Sequence, residues 1–312
     1  MRYRPFGKSG AAVSSITLSL GPETAALGPT AACQLIYSAL EAGVNAYRLE
    51  TADPVLAEIV GTALRQVERR LVCVSLNLGN GDGRRSLDRD FSAASMTSAI
   101  DRVLHASGLG WIDVGLLDDP DEHELPQASL NALKGVRDSG RLRLLGISGE
   151  GDVMDAYVST GAFDVLATPY HMNSAWPVRG RMREARERDM AIFVYGYHPE
   201  TFTPARKEAA VAAAPEKRSL FGFGKPKAAP AAPMIGGPDP FAFLTRTPNW
   251  TAEEICLSYS MMEPSVSSVL IKATDDERLN ALTQVPDRDL PPGLAAQIEM
   301  ARVGTAAAQG AA

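Results

Sequence analysis

Asp118, Asp119, Asp121 and His123 crowd the end of one apolar run, WIDVGLLDDPDEH (111–123). Carboxylates and an imidazole at that spacing could ligate a hard metal ion. A loop of solvated acids after a strand is the plainer meaning, and no metal is assigned. A second group lies in LIKATDDERL (270–279). Lys272 leaves an apolar run there, Thr274 with Glu277 reads as a capping box that starts a helix, and Arg278 follows in its first turn. The helix N-terminus and the two cations together form an anion site.

Both groups sit at the ends of short apolar runs rich in β-branched residues. Eight such runs recur, at 14–20, 44–50, 70–78, 111–118, 142–149, 163–170, 191–197 and 267–273. Helix-like segments separate most of them. AACQLIYSALEAG (31–43) places apolar residues every three or four positions and ends in Gly43. MTSAIDRVLHASG (96–108) and LNALKGVRDSG (130–140) repeat that form. Strand alternating with helix implies a parallel sheet with helical crossovers, and eight repeats suit a closed (β/α)8 TIM barrel of the α/β class. An open doubly wound sheet would carry a G-x-G-x-x-G after its first strand, and none is there.

The bulk numbers narrow the function. The 312 residues can form one barrel domain over 1–300. Their net charge of −6 offers no global basic field to a nucleic acid. No run of 18 apolar residues can span a membrane, and MRYRPFGKSG is not a secretory leader. Cys33, Cys73 and Cys256 show neither metal spacing nor a disulfide framework, which fits a cytoplasmic protein. Cys73 reads as core. Residues 204–240, rich in Ala, Pro, Lys and Gly, read as a mobile insertion between strands seven and eight. Within 206–227 it holds six basic residues against two acidic ones, so it could be a docking arm anchored by Leu220, Phe221 and Phe223, or simply a solvated linker. Residues 301–312 read as a disordered tail, whose final Ala311–Ala312 suits recognition by a bacterial AAA+ protease.

The chain resembles the aldo-keto reductases along nearly its whole length. MRYRPFGKSGAAVSSITLSLG is similar to the family's opening strand and glycine turn. LIYSALEAGVNAYRLETADPVLAEIVGTAL resembles G-x-N-x-x-D-T-A followed by E-x-x-x-G-x-A-L. WIDVGLLDDPD resembles I-D-L-x-x-x-H-x-P-D, and LRLLGISG resembles I-R-x-x-G-V-S-N. The resemblance implies a (β/α)8 barrel and carbonyl reduction with a nicotinamide cofactor. That chemistry needs a tyrosine to protonate the forming alkoxide, a lysine to ease the phenol's ionisation, an aspartate to hold the lysine, and a histidine to orient the carbonyl. Here the aspartate position falls on Glu50 if ETAD is matched, or on Arg48 if Asn45 anchors the alignment. The tyrosine position is then Val55 or Asp53, the lysine position Asn77 and the histidine position Asp118. Val55 has no proton to give, Asn77 carries no charge, and ionised Asp118 repels an alkoxide. Losing several members of such a unit leaves only residual rate, so a pseudoenzyme is expected. The alternative is an active oxidoreductase with a substitute acid such as Tyr47 or Tyr170.

The same resemblance implies that cofactor contacts survive better. AIFVYGYHP resembles the strand whose tyrosine stacks on the nicotinamide ring, here Tyr195, with Gly196, Tyr197 and His198 in the turn against the pyrophosphate. A rim aromatic is the plainer reading of Tyr195. Lys272, Ala273, Thr274 and Arg278 match the family's grip on the adenosine phosphate, and Ser148 keeps one nicotinamide contact. Three contacts depart from the pattern: Ser19-Leu20 in the opening turn, Gly149 after Ser148, and Ala167 for a glutamine. Asp275 and Asp276 oppose an extra 2′-phosphate, which favours NAD(H) over NADP(H). A degenerate reductase barrel with an Ala-Ala tail also resembles an alphaproteobacterial regulator of cell division. That resemblance implies two protein partners, the tubulin-like FtsZ and the histidine kinase DivJ.

Overall fold

A computed structural model describes residues 1–80, 89–199 and 241–309 of the chain. A short antiparallel hairpin, β1 (Tyr3–Pro5) and β2 (Ala12–Ser14), opens it. Eight parallel strands then close a barrel: β3 (Ile16–Leu20), β4 (Ala46–Leu49), β5 (Cys73–Leu78), β6 (Ile112–Asp118), β7 (Leu142–Ser148), β8 (Val165–Pro169), β9 (Ala191–Tyr195) and β10 (Ser268–Ile271). Each lies within one of the eight apolar runs. Strands pair in chain order, and β10 returns to β3 through Val269 opposite Ile16. All residues of β3 and β5 are buried, as expected for strands covered on both faces.

Alternation along each strand sorts the two cores. Ala46, Cys73, Val114, Leu116, Val165, Ala167, Phe193 and Leu270 fill the barrel's inside, and Phe6 of the hairpin turn lies 5.2 Å from the Phe193 ring. Cys73 is core, as its sequence context indicates. The intervening residues, such as Tyr47, Leu49, Val74 and Leu76, pack outward against the helices. Among the described residues, the helices in chain order are α1 (Pro22–Ala26), α2 (Pro29–Glu41), α3 (Pro54–Leu64), α4 (Ala93–Ser107), α5 (Gln127–Asp138), α6 (Asp152–Ser159), α7 (Trp176–Glu187), α8 (Ala252–Met262), α9 (Asp276–Gln284) and α10 (Leu294–Gln309), and two of them show why those segments fold as they do. In α2 (Pro29–Glu41), proline stands in the first turn and Ala32, Leu35, Ile36 and Ala39 make the buried stripe. In α4 (Ala93–Ser107), Ser92 accepts the Ser95 amide, and Met96, Ile100 and Val103 face the barrel.

The last helix runs Leu294–Gln309. Alanine is the strongest helix former, and a helix seeded over Leu294 and Ile298, both buried, propagates through an alanine-rich end. The helix after β10 starts one residue later than the capping box implies. Asp275, not Thr274, is the N-cap and accepts the Arg278 amide at 2.8 Å, so that helix runs Asp276–Gln284. The basic insertion 204–240 and Ala311–Ala312 lie outside the described residues.

Candidate functional site

The carboxyl ends of the strands surround a cavity of about 550 Å³, lined by residues from β3, β4, β5, β6, β9 and β10 and the segments after them. This is the end at which a (β/α)8 barrel carries its ligands. Its floor and walls include Arg48, Glu50, Asn77, Asp118 and Tyr195, and its rim includes His198, Lys272 and Arg278. Of the two registers for the family's aspartate, the structure brings both candidates to the cavity. Arg48 shares the inward alternation of Ala46 and pairs with Ser75, while Glu50 follows the strand. Glu50 does not meet Asn77's strand for its counter-charge; it meets Lys272 across the mouth at 2.8 Å and accepts the Ser19 hydroxyl at 2.7 Å.

Val55 lies in the first turn of α3 (Pro54–Leu64), 37% exposed and outside the cavity lining. Asp53 is that helix's cap and accepts the Val55 amide at 3.0 Å. Neither of the substitute acids reaches the mouth. Tyr47 points outward and donates to the Val44 carbonyl at 2.9 Å. Tyr170 packs against Tyr259, with ring centroids 6.2 Å apart. Asp118 is at the mouth and accepts from the Asn80 carboxamide. Asp119 accepts from Arg89 instead of turning to a shared metal position, and no metal-binding group of three acids, histidines or cysteines occurs among the described residues.

The expected cofactor residues mostly gather. Gly196 turns the chain at φ 64°, a left-handed conformation that glycine adopts without strain, and delivers Tyr197 and His198 to the rim. Tyr195 is hydrogen-bonded with Ser148. Burial, with help from the Asp118 charge, pushes its phenol up to about 12 against that hydrogen bond. Tyr197 donates to Glu253 at 2.8 Å, and burial first and Glu253 second hold its phenol protonated. Burial holds His198 below the usual histidine range, so its ring is neutral, and Nε2 is shielded with no partner among the described residues. Ala273 is buried behind the rim and Thr274 is exposed, so neither lines the cavity.

Both rim cations carry carboxylates that the local sequence does not announce. Lys272 lies 2.8 Å from Glu50 and 3.0 Å from Glu23. Burial works against its charge, but these two partners outweigh burial and raise its pKa above the ordinary lysine value. Arg278 lies 2.8 Å from Glu253 of α8 (Ala252–Met262). Glu23 comes from the opposite end of the chain and Glu253 from the helix before β10, and the closed barrel puts each beside its cation.

A closed parallel barrel with a polar mouth at its carboxyl end defines the class: a (β/α)8 fold. The Aldo/keto reductase family model matches residues 17–302, and the chain belongs to that family, whose members bind NAD(P)H. Two solved structures of aldo-keto reductase AKR11C1 from Bacillus halodurans share the fold over 96% of both chains. The holo form matches at 19% identity with a TM-score of 0.74, the apo form at 18% and 0.69.

Proposed function

We propose that this chain binds a nicotinamide dinucleotide, does not reduce carbonyls, and acts through protein partners. One observation carries the reading. Asn77 and Asp118 stand in the same cavity as the Tyr195–His198 turn, Lys272 and Arg278. The cavity therefore joins retained cofactor-type residues to positions where reduction needs a cation and a neutral donor. The residues present suit a dinucleotide. His198 offers an unpaired neutral Nε2 beside a glycine turn, Lys272 and Arg278 supply charge for phosphate, and the Tyr195 ring lines the cavity wall for stacking. When bound, the cofactor would supply the redox chemistry; this chain's residues bind and orient it.

The competing reading, an active NAD(P)H-dependent oxidoreductase, needs another proton donor. Tyr195 and Tyr197 are the tyrosines of the cavity; burial pushes the Tyr195 phenol up to about 12 and raises that of Tyr197 too, so both are weak acids at neutral pH. Reduction is therefore expected at least about 10⁴-fold below that of a complete catalytic unit.

Asp275 and Asp276 beside the rim favour NAD(H) over NADP(H). The sequence's likeness to the cell-division regulator KidO names FtsZ and the histidine kinase DivJ as the partners. Sedimentation of FtsZ polymers and DivJ autophosphorylation, each with the purified chain and with or without NADH, test them. No effect on either protein would remove that assignment and leave the dinucleotide reading standing.

The carboxylates on Lys272 and Arg278 compete with a phosphate for the same cations. A partly exposed ion pair contributes about 0.2–1 kcal/mol, and a carboxylate left beside a bound phosphate also repels it. The double substitution Glu50→Gln with Glu253→Gln is expected to tighten NADH binding by about fivefold in a fluorescence titration. Unchanged or weaker binding would mean that these acids position the cations and do not compete for them.

A further inference from the structure

Arg48 and Asn77 present an unmet demand at the cavity floor. A guanidinium stays charged at all ordinary pH values, so it needs an acceptor wherever it is buried. Nε and Nη1 of Arg48 are shielded from solvent and have no partner among the described residues. The nearest aromatic face is Tyr195, whose ring centroid is 5.9 Å from the Arg48 guanidinium carbon. The cavity's own acids are engaged elsewhere. Glu50 is held by Lys272 and Ser19, Glu253 by Arg278 and Tyr197, and Asp118 by Asn80. Asn77 is 4% exposed, and its Oδ1 is a buried acceptor with no donor among the described residues. Buried polar groups are rarely left unpaired, and the exceptions call for a missing partner.

The two orphans lie on neighbouring strands and line one cavity. One asks for an anion and the other for a hydrogen-bond donor. We propose that the floor binds a small carboxylic acid carrying a donor on the adjoining carbon, an α-amino or α-hydroxy acid. Its carboxylate meets Arg48, the usual fork partner of that group, and its ammonium or hydroxyl meets Asn77 Oδ1. A monoanion fits better than a phosphate, because Asp118 and Glu50 share the cavity and repel a second negative charge. The inference does not rest on dinucleotide binding, since neither Arg48 nor Asn77 belongs to the residues assigned to that ligand.

The test is calorimetric titration of the full chain, without dinucleotide, with sodium L-lactate, L-alanine, sodium acetate and lactamide, against a sodium chloride control. Lactate or alanine is expected to bind in the millimolar range or tighter. Acetate lacks the donor and lactamide lacks the charge, so each is expected to bind at least about tenfold more weakly than the better acid. Arg48→Gln is expected to abolish binding and Asn77→Leu to weaken it about tenfold, with circular dichroism reporting the fold of each. Tighter binding of alanine than of lactate assigns an amino acid, and the reverse order assigns a hydroxy acid. The proposal fails if neither acid binds, if lactamide binds as well as lactate, or if Arg48→Gln binds unchanged. The ligand comparison on the unaltered chain decides the matter even if Arg48→Gln does not fold.

Discussion

Gly61→Ala is expected to lower stability by about 3 kcal/mol, a fall in the unfolding midpoint of roughly 5–10 °C. Gly61 is buried in α3, where that helix crosses the end of α4. A Cβ added there would lie 1.9 Å from the Ser107 carbonyl oxygen and 2.5 Å from its carbon. These are backbone atoms, so no side chain can swing aside, and the helices must separate. Alanine gains about 1 kcal/mol of helix propensity over glycine, which the clash outweighs. Separation also strips packing from Leu64 and Val103, both buried on those helices. Thermal unfolding by circular dichroism measures the change. A midpoint equal to that of the unaltered chain would mean that the α3–α4 approach is looser than described.

The second large effect belongs to the rim. Replacing both Lys272 and Arg278 by alanine is expected to weaken NADH binding by roughly 30- to 1,000-fold. Each charge-assisted hydrogen bond to a phosphate contributes about 1.5–3 kcal/mol. Each cation must first leave its carboxylate partners, which returns about 0.2–1 kcal/mol per pair, so the net is about 1–2 kcal/mol per residue. The two residues approach from different elements, Lys272 just beyond β10 and Arg278 from the helix that follows, so their losses should nearly add. Fluorescence titration of the double variant measures this. An affinity equal to that of the unaltered chain would reduce Lys272 and Arg278 to structural ion pairs and make the barrel a scaffold.

The eight strands were legible because strands buried on both faces appear as unbroken apolar runs, and each run holds one barrel strand. The hairpin before them was not separately legible: its strands are three residues long and carry Arg2 and Arg4 nearby in place of an apolar stripe. The cap of the helix after β10 was misplaced by one residue because Thr274 and Asp275 can both cap, and only the backbone at Asp275, φ −145° and ψ 156°, decides between them. The register after Asn45 was ambiguous for the same kind of reason. Strand alternation sends both Arg48 and Glu50 inward, so sequence similarity alone could not choose, and in the fold both reach the cavity. What could not be read was pairing at a distance. Glu23 on Lys272 and Glu253 on Arg278 join segments separated by most of the chain or by a turn and a strand, with no local spacing to betray them.

The proposed function requires that this barrel hold a nicotinamide dinucleotide without passing its hydride to a carbonyl. The direct measurement is a titration of the purified chain with NADH, and in parallel with NADPH, followed by nicotinamide fluorescence. The complex is then held with a panel of aldehydes and ketones. Micromolar binding is expected, tighter for NADH than for NADPH, with a signal that stays flat on adding every carbonyl. A decay of the signal that depends on one of the carbonyls would show a working reductase, and failure of both dinucleotides to bind would leave the rim as a set of ion pairs around a capped helix.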